Sequence, residues 1–166
     1  MIEENTTDRV AHARSEFRFS VDLPYDVTAP LFGALEEQKW APEWKPQFLY
    51  PDPPADQEGA VFRVDYSPSQ SSIWTTSVFD LASGHIQYVL VLDHVVLTRI
   101  DIRLASASAQ KTDVSVVYER TAIHPNANED VRNLASEDAA KGEEWKAAID
   151  AYGMTLKAAH AEQRRE

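Results

Sequence analysis

The sequence predicts an α+β fold: one curved antiparallel sheet of about seven strands, two short helices after the first strand, and one long C-terminal helix across the concave face. Three observations lead there. Eight of the nine prolines lie between Pro24 and Pro68, so the stretches before and after can hold long strands and a long helix. Proline lacks a backbone donor and clashes inside a helix, which makes its absence informative. From residue 60 to 124 apolar and polar residues mostly alternate, the period of a half-buried strand. From residue 128 to 160 the apolar residues instead recur at helical spacing.

Each element follows from its own residues. The first strand spans 17–23, with Phe17, Phe19, Val21 and Leu23 on one face, and Pro24 ends it. Thr28, followed by Ala29 and Pro30, reads as a helix start with Thr28 as N-cap. That helix, 29–38, would bury Leu31, Phe32 and Leu35. Residues 40–46, with Trp40 and Trp44 around Pro42, form a compact turn or second short helix. A brief strand at 47–50 precedes a proline-rich loop at 51–59. Strands are then expected at 60–66, 72–80, 85–92, 95–107 and 112–124. The apolar run from Ile86 to Leu104 would span roughly 63 Å as one strand, so it must break at its polar point, Asp93-His94. In the final helix Val131, Leu134, Trp145, Ile149, Tyr152 and Leu156 fall within about 40° of the Trp145 direction at ~100° per residue. Gly142 permits a break near 139–142.

Composition narrows the function. The 16 Lys and Arg against 27 Asp and Glu leave a net charge of −11, which argues against a nucleic-acid partner. The absence of cysteine excludes disulfides, thiolate metal sites and Cys nucleophiles. No run approaches the ~20 apolar residues of a membrane span, and residues 1–8 carry no apolar signal core, so a cytoplasmic protein is expected. The expected organisation is a flexible segment at 1–14, a single domain at 15–160 and a polar tail at 161–166.

A one-faced helix on a bent sheet leaves a gap unless large side chains fill it. Thr75, Thr76, Ser77 and Thr98 are small or polar residues within strands, and Gly142 lies about 60° from the Trp145 direction. Asp138 lies about 20° from it and faces inward, where a carboxylate must be paired or wet. An internal, partly hydrated pocket is therefore expected.

Over residues 15–160 the chain resembles the START-like or SRPBCC superfamily, the helix-grip proteins that include polyketide cyclase/dehydrase-like proteins, pollen-allergen-like proteins and chaperone-ATPase activators. The resemblance is carried by 17–24, Trp40-Ala41-Pro42-Glu43-Trp44-Lys45-Pro46, Asp93-His94-Val95-Val96, the run 112–123 and Glu143-Glu144-Trp145-Lys146. It implies a hydrophobic-ligand cavity between sheet and C-terminal helix, and it brings no invariant catalytic residue.

The candidate ligand-binding residues are Trp145, Ile149, Tyr152, Tyr118, Asp138, Gly142, Val116 and Ile100. The helix aromatics serve pocket or core equally well. Tyr118 shares strand parity with Val114 and Val116; its hydroxyl, like that of Tyr88, either orients a ligand or reaches solvent at the sheet edge, the commoner fate. Asp138 binds a ligand hydroxyl, moves a proton, or simply pairs with Lys141. Trp40 and Trp44 cover a pocket mouth or plug the proline turn. His85 and His94 are scattered rather than set at metal-ligand spacing, so no metal is expected. Arg99, Asp101 and Arg103 read as a solvated outer face opposite Ser115, Glu119 and Thr121. There is no Gly-x-Ser-x-Gly elbow, and five scattered glycines form no phosphate or dinucleotide loop, so no cofactor is expected. Three readings follow: a binder of a small apolar ligand, a polyketide cyclase/dehydrase-type enzyme using Tyr118, Asp138 or Arg120, and an interaction module like the chaperone activators. A homodimer stays open.

Overall fold

A computed structural model of the chain describes residues 9–165. Strand β1 (His12–Val21) leads into helix α1 (Tyr25–Thr28) and two 3-10 turns, Ala29–Phe32 and Glu36–Lys39. Strands β2 (Gln47–Tyr50), β3 (Val61–Ser67), β4 (Gln70–Asp80), β5 (His85–Leu92), β6 (Val96–Ser108) and β7 (Lys111–Ala122) follow. A 3-10 turn, Pro125–Ala127, enters helix α2 (Asn128–Gln163). The seven strands form one antiparallel sheet in the order β1-β7-β6-β5-β4-β3-β2. The chain therefore meanders from β2 to β7, and β1 completes the sheet beside β7.

Several local details differ from the sequence reading, each for a physical reason. Of the segment 1–14, residues 1–8 lie outside the described residues, whereas His12, Ala13 and Arg14 already pair with Thr121, Arg120 and Glu119 of β7. Backbone pairing, extended by the Ala11 amide donating to Asn128 Oδ1 at 2.6 Å, holds a stretch whose side chains carry no apolar signal. Thr28 precedes the turn Ala29–Phe32 at its N-cap position, with Pro30 in the first turn, but it makes no capping hydrogen bond. It has helical dihedrals, and its hydroxyl donates back to the Pro24 carbonyl at 2.8 Å, because the helix starts directly after Pro24. The short helical region is one α turn and two 3-10 turns rather than a continuous helix over 29–38, yet Leu31 and Phe32 are buried as expected.

The break at Asp93-His94 is a tight turn, with both residues left-handed at φ 49° and 60°. Such dihedrals match the twist of a two-residue hairpin, and Asp93 tolerates them while its carboxylate accepts the Ser71 amide at 2.9 Å. Of the four small strand residues, Thr76 and Thr98 are buried, while Thr75 is half-buried and Ser77 sits at a register shift with its hydroxyl on Gln87. The outer face carries one cross-strand charge pair, Arg99 with Glu119, and one along β6, Arg103 with Asp101. His85 Nε2 donates to Asp101 Oδ1 there at 2.7 Å, and His94 stays in its turn.

Helix α2 is unbroken across Gly142. The residue costs helix propensity, but tertiary contact holds it: a Cβ there would stand 3.1 Å from Phe17 Cδ2. The same close approach recurs at Gly153, where a Cβ would meet Leu23 Cδ2 at 2.8 Å. Lys146 Nζ donates to the Ser20 carbonyl, and Asp150 accepts the Asp22 amide at 3.0 Å. The helix is thus seated along β1. No helix among the described residues is long and apolar enough to cross a membrane.

Candidate functional site

The buried row of α2 reads Val131, Asp138, Gly142, Ile149, Gly153, repeating in steps of seven and four residues. That spacing keeps one narrow face on β1 and β7. The next row, Leu134, Lys141 and Trp145, looks across to the middle of the sheet. Because two glycines pull the helix down on the β1 side, the far side stands open as a wedge. It encloses a cavity of about 360 Å³, at the lower end of the range for small-molecule sites.

Strand register explains what faces this space. Trp74, Leu90, Thr98 and Arg120 are aligned partners across β4, β5, β6 and β7, and Tyr88, Ile100 and Tyr118 form a second row. Side chains two apart along a strand share a face, so both rows point inward together. Trp44, from the turn after the short helices, closes one end against Trp74, with ring centroids 5.2 Å apart. Its indole donates to the Ala34 carbonyl at 2.8 Å. Trp145 forms the roof, edge-on to Phe17 at 5.4 Å and to Trp40 at 5.9 Å.

One corner is polar. Arg120 donates from Nη2 to Asp138 Oδ1 at 2.7 Å, from Nε to Oδ2 at 3.3 Å, and from Nη1 to Thr98 Oγ1 at 3.3 Å. Lys141 donates to the same carboxylate from one turn further along α2. Burial alone would raise the Asp138 carboxyl, but these hydrogen bonds outweigh it and hold the group below its ordinary range. Burial also draws the Lys141 ammonium below its ordinary value, partly offset by Asp138. Both cations stand over the Tyr118 ring, with Arg120 Cζ 4.6 Å and Lys141 Nζ 4.4 Å from its centroid. The Tyr118 hydroxyl makes no hydrogen bond among the described residues and opens into the cavity. Burial raises its pKa far above that of free tyrosine.

Glu37, from the turn Glu36–Lys39, also lines the cavity. Burial, with the negative charge of Asp56 adding to it, pushes its carboxyl up to about 8. Asp56 is itself committed, accepting the Leu35 and Glu36 amides at 2.9 and 3.3 Å.

Of the residues singled out in the sequence, Trp145, Tyr118 and Ile100 line this cavity together. Asp138 lies behind the lining, fully buried beneath Arg120 and Lys141. Ile149, Val116 and Gly142 are not among the residues lining the space; they pack in the seam between α2 and the β1–β7 edge. Tyr152 packs half-buried against the core and lies outside the lining. Tyr88 corrects the expectation of a hydroxyl reaching solvent. It sits on the central strand β5, is 4% exposed, and donates to the Phe32 carbonyl at 2.7 Å. Trp40 is core, donating to the Leu31 carbonyl, whereas Trp44 lines the cavity.

Sequence reasoning missed Glu37 as a site residue, because a Glu in a short polar turn reads as solvated. It had Arg120 only as a proton donor and Lys141 only as a partner of Asp138. The signal that could have found Arg120 is parity: it lies two residues beyond Tyr118, on the same inward face.

Solved structures reproduce the architecture. A norcoclaurine synthase point mutant from Thalictrum flavum, in complex with a transition-state analogue, superposes with a TM-score of 0.65 at 12% identity, over 90% of this chain and 98% of that one. Ara h 8.0201 superposes with 0.64 at 11% identity, over 87% and 99%. DynU16, from the dynemicin biosynthetic locus, superposes with 0.57 at 14% identity, over 86% of this chain and 47% of that one. The chain shares with these structures the helix-grip fold, a curved antiparallel sheet against one long C-terminal helix. No protein-family model and no curated protein sequence matches it.

Proposed function

We propose that the protein binds a small, largely apolar molecule in the cavity between α2 and the sheet. The observation that carries this reading is the open wedge itself: about 360 Å³ bounded by Trp44, Trp74, Tyr88, Ile100 and Trp145, with Arg120, Lys141 and Glu37 among the few charged groups of its lining. Apolar surface transferred into such a space contributes about 25 cal/mol per Å², and the polar corner fixes orientation. Norcoclaurine synthase has been crystallised with dopamine and hydroxybenzaldehyde, an example of small aromatic molecules held by this fold. Isothermal titration with neutral two-ring aromatics, beginning with 2-naphthol, tests the reading. Binding that disappears in Ile100→Phe, which fills the cavity from β6, supports it. Absence of binding by any apolar probe, or binding unaffected by the filling, contradicts it.

A second reading, a cyclase- or dehydrase-type enzyme, is favoured by one feature: Glu37 lines the cavity, where burial and the charge of Asp56 push its carboxyl up to about 8. A carboxyl tuned close to the working pH suits proton exchange with a bound molecule. Asp138, locked between two cations, does not. Turnover of a bound molecule that falls by about 100-fold or more in Glu37→Gln, with binding retained, is the result this reading requires.

A further inference from the structure

We infer that the ligand is amphipathic and carries one carboxylate, which sits on Arg120, Lys141 and Tyr118 while its apolar body lies among Trp44, Trp74 and Trp145. The inference rests on the binding reading above and names the chemical class that site takes.

Charge is the first ground. Arg120 and Lys141 bring two positive charges to the polar corner, and Asp138 is the single carboxylate that pairs with them. Arg120 is 6% exposed, so water screens this imbalance poorly. Glu37 does not correct it, since its carboxyl keeps its proton up to about 8. Glu137 also borders the cavity, but it is exposed at the mouth and screened by solvent.

Unused donors are the second ground. Of the five N–H groups of a guanidinium, Arg120 commits one from Nε, one from Nη2 and one from Nη1, leaving two free. Lys141 spends one of its three on Asp138. The Tyr118 hydroxyl, on a side chain only 6% exposed, has no protein partner among the described residues and faces the same space. Hydrogen-bonding capacity left over on three neighbouring groups is thus gathered along one cavity. A carboxylate accepts from all three groups and supplies the missing negative charge. A neutral alcohol or ketone satisfies one donor and leaves the charge as it was. The surrounding aromatic surface admits an aromatic acid or the chain of a fatty acid, which share this head group.

The test compares each acid with its neutral amide by isothermal titration of the full chain at pH 7: 2-naphthoate against 2-naphthamide, and decanoate against decanamide. The expected result is a carboxylate affinity about tenfold or more above that of the amide, the range for a charge-assisted hydrogen bond. Lys141→Met should shrink that ratio, Lys141→Arg should restore it, and Arg103→Met, on the outer face, should leave it unchanged. Which acid binds tighter separates an aromatic from a chain ligand. Equal binding of acid and amide overturns the carboxylate assignment while the cavity stands as an apolar site. A ratio untouched in a folded Lys141→Met protein overturns the placement on this corner. Failure of all four probes removes the binding reading and the inference together.

Discussion

Helix α2 meets the sheet in two different ways. Along β1 and β7 the contact is closed: Gly142 and Gly153 bring the helix against Phe17 and Leu23, and Ile149 is fully buried beside them. Toward β4, β5 and β6 the same helix presents Leu134, Lys141 and Trp145 to an enclosed space. Trp145 roofs that space while its ring meets Phe17, Phe19 and Trp40 edge to face. Small residues on one row and large ones on the next therefore tilt a single helix, so that one side is core and the other a receptacle. Asp138 joins the two sides. It belongs to the closed row, yet its carboxylate organises the cationic corner of the open one.

Breaking that joint should have the largest effect. Asp138→Ala leaves Arg120 buried without its partner and beside Lys141, and should cost about 3–5 kcal/mol in chemical unfolding. A contrast in added volume comes next. Gly142→Val inserts side-chain atoms where a Cβ already presses on Phe17, and should cost about 1–3 kcal/mol. Ile100→Phe adds bulk on the open side and should change stability by less than about 1 kcal/mol, since the added atoms enter empty space. Equal costs at the two positions would show that the two sides are packed alike.

A separate effect is a pH dependence. Glu37 releases its proton near 4.5 in the unfolded chain and near 8 in the folded one. Between those values the folded state holds a proton the unfolded state has lost, so its contribution to stability falls as pH rises across that window and is flat outside it. The slope from this one group is at most about 1.4 kcal/mol per pH unit. Glu37→Gln should therefore flatten the profile of unfolding midpoint against pH between 5 and 8, and a profile identical to that of the parent would contradict the buried-acid assignment.

The sheet was legible because alternation is a property of consecutive residues, and the turn at Asp93-His94 because it is the polar point in an otherwise apolar run. The long helix was legible from Trp145, Ile149 and Tyr152. Its division into closed and open rows was not, because the closed row is marked by Gly142, Gly153 and Asp138, which a count of apolar residues passes over. Glu37 was invisible for another reason. Its environment comes from Asp56 and Tyr88, distant in sequence, and no local pattern reports that meeting. Placing Val116 and Ile149 at a ligand followed from parity and helix face alone, which identify the inner side of an element but not whether the layers touch there.

The four tryptophans permit one direct measurement. Trp44, Trp74 and Trp145 border the cavity, whereas Trp40 is core with its indole held by the Leu31 carbonyl. In a nitrogen–proton NMR titration with 2-naphthoate, the indole signals of Trp44, Trp74 and Trp145 should shift while that of Trp40 stays in place. Shifts confined to outer-face amides around Arg103 and Ser115, or no movement of any indole signal, would contradict a ligand seated in the open side of the helix–sheet interface.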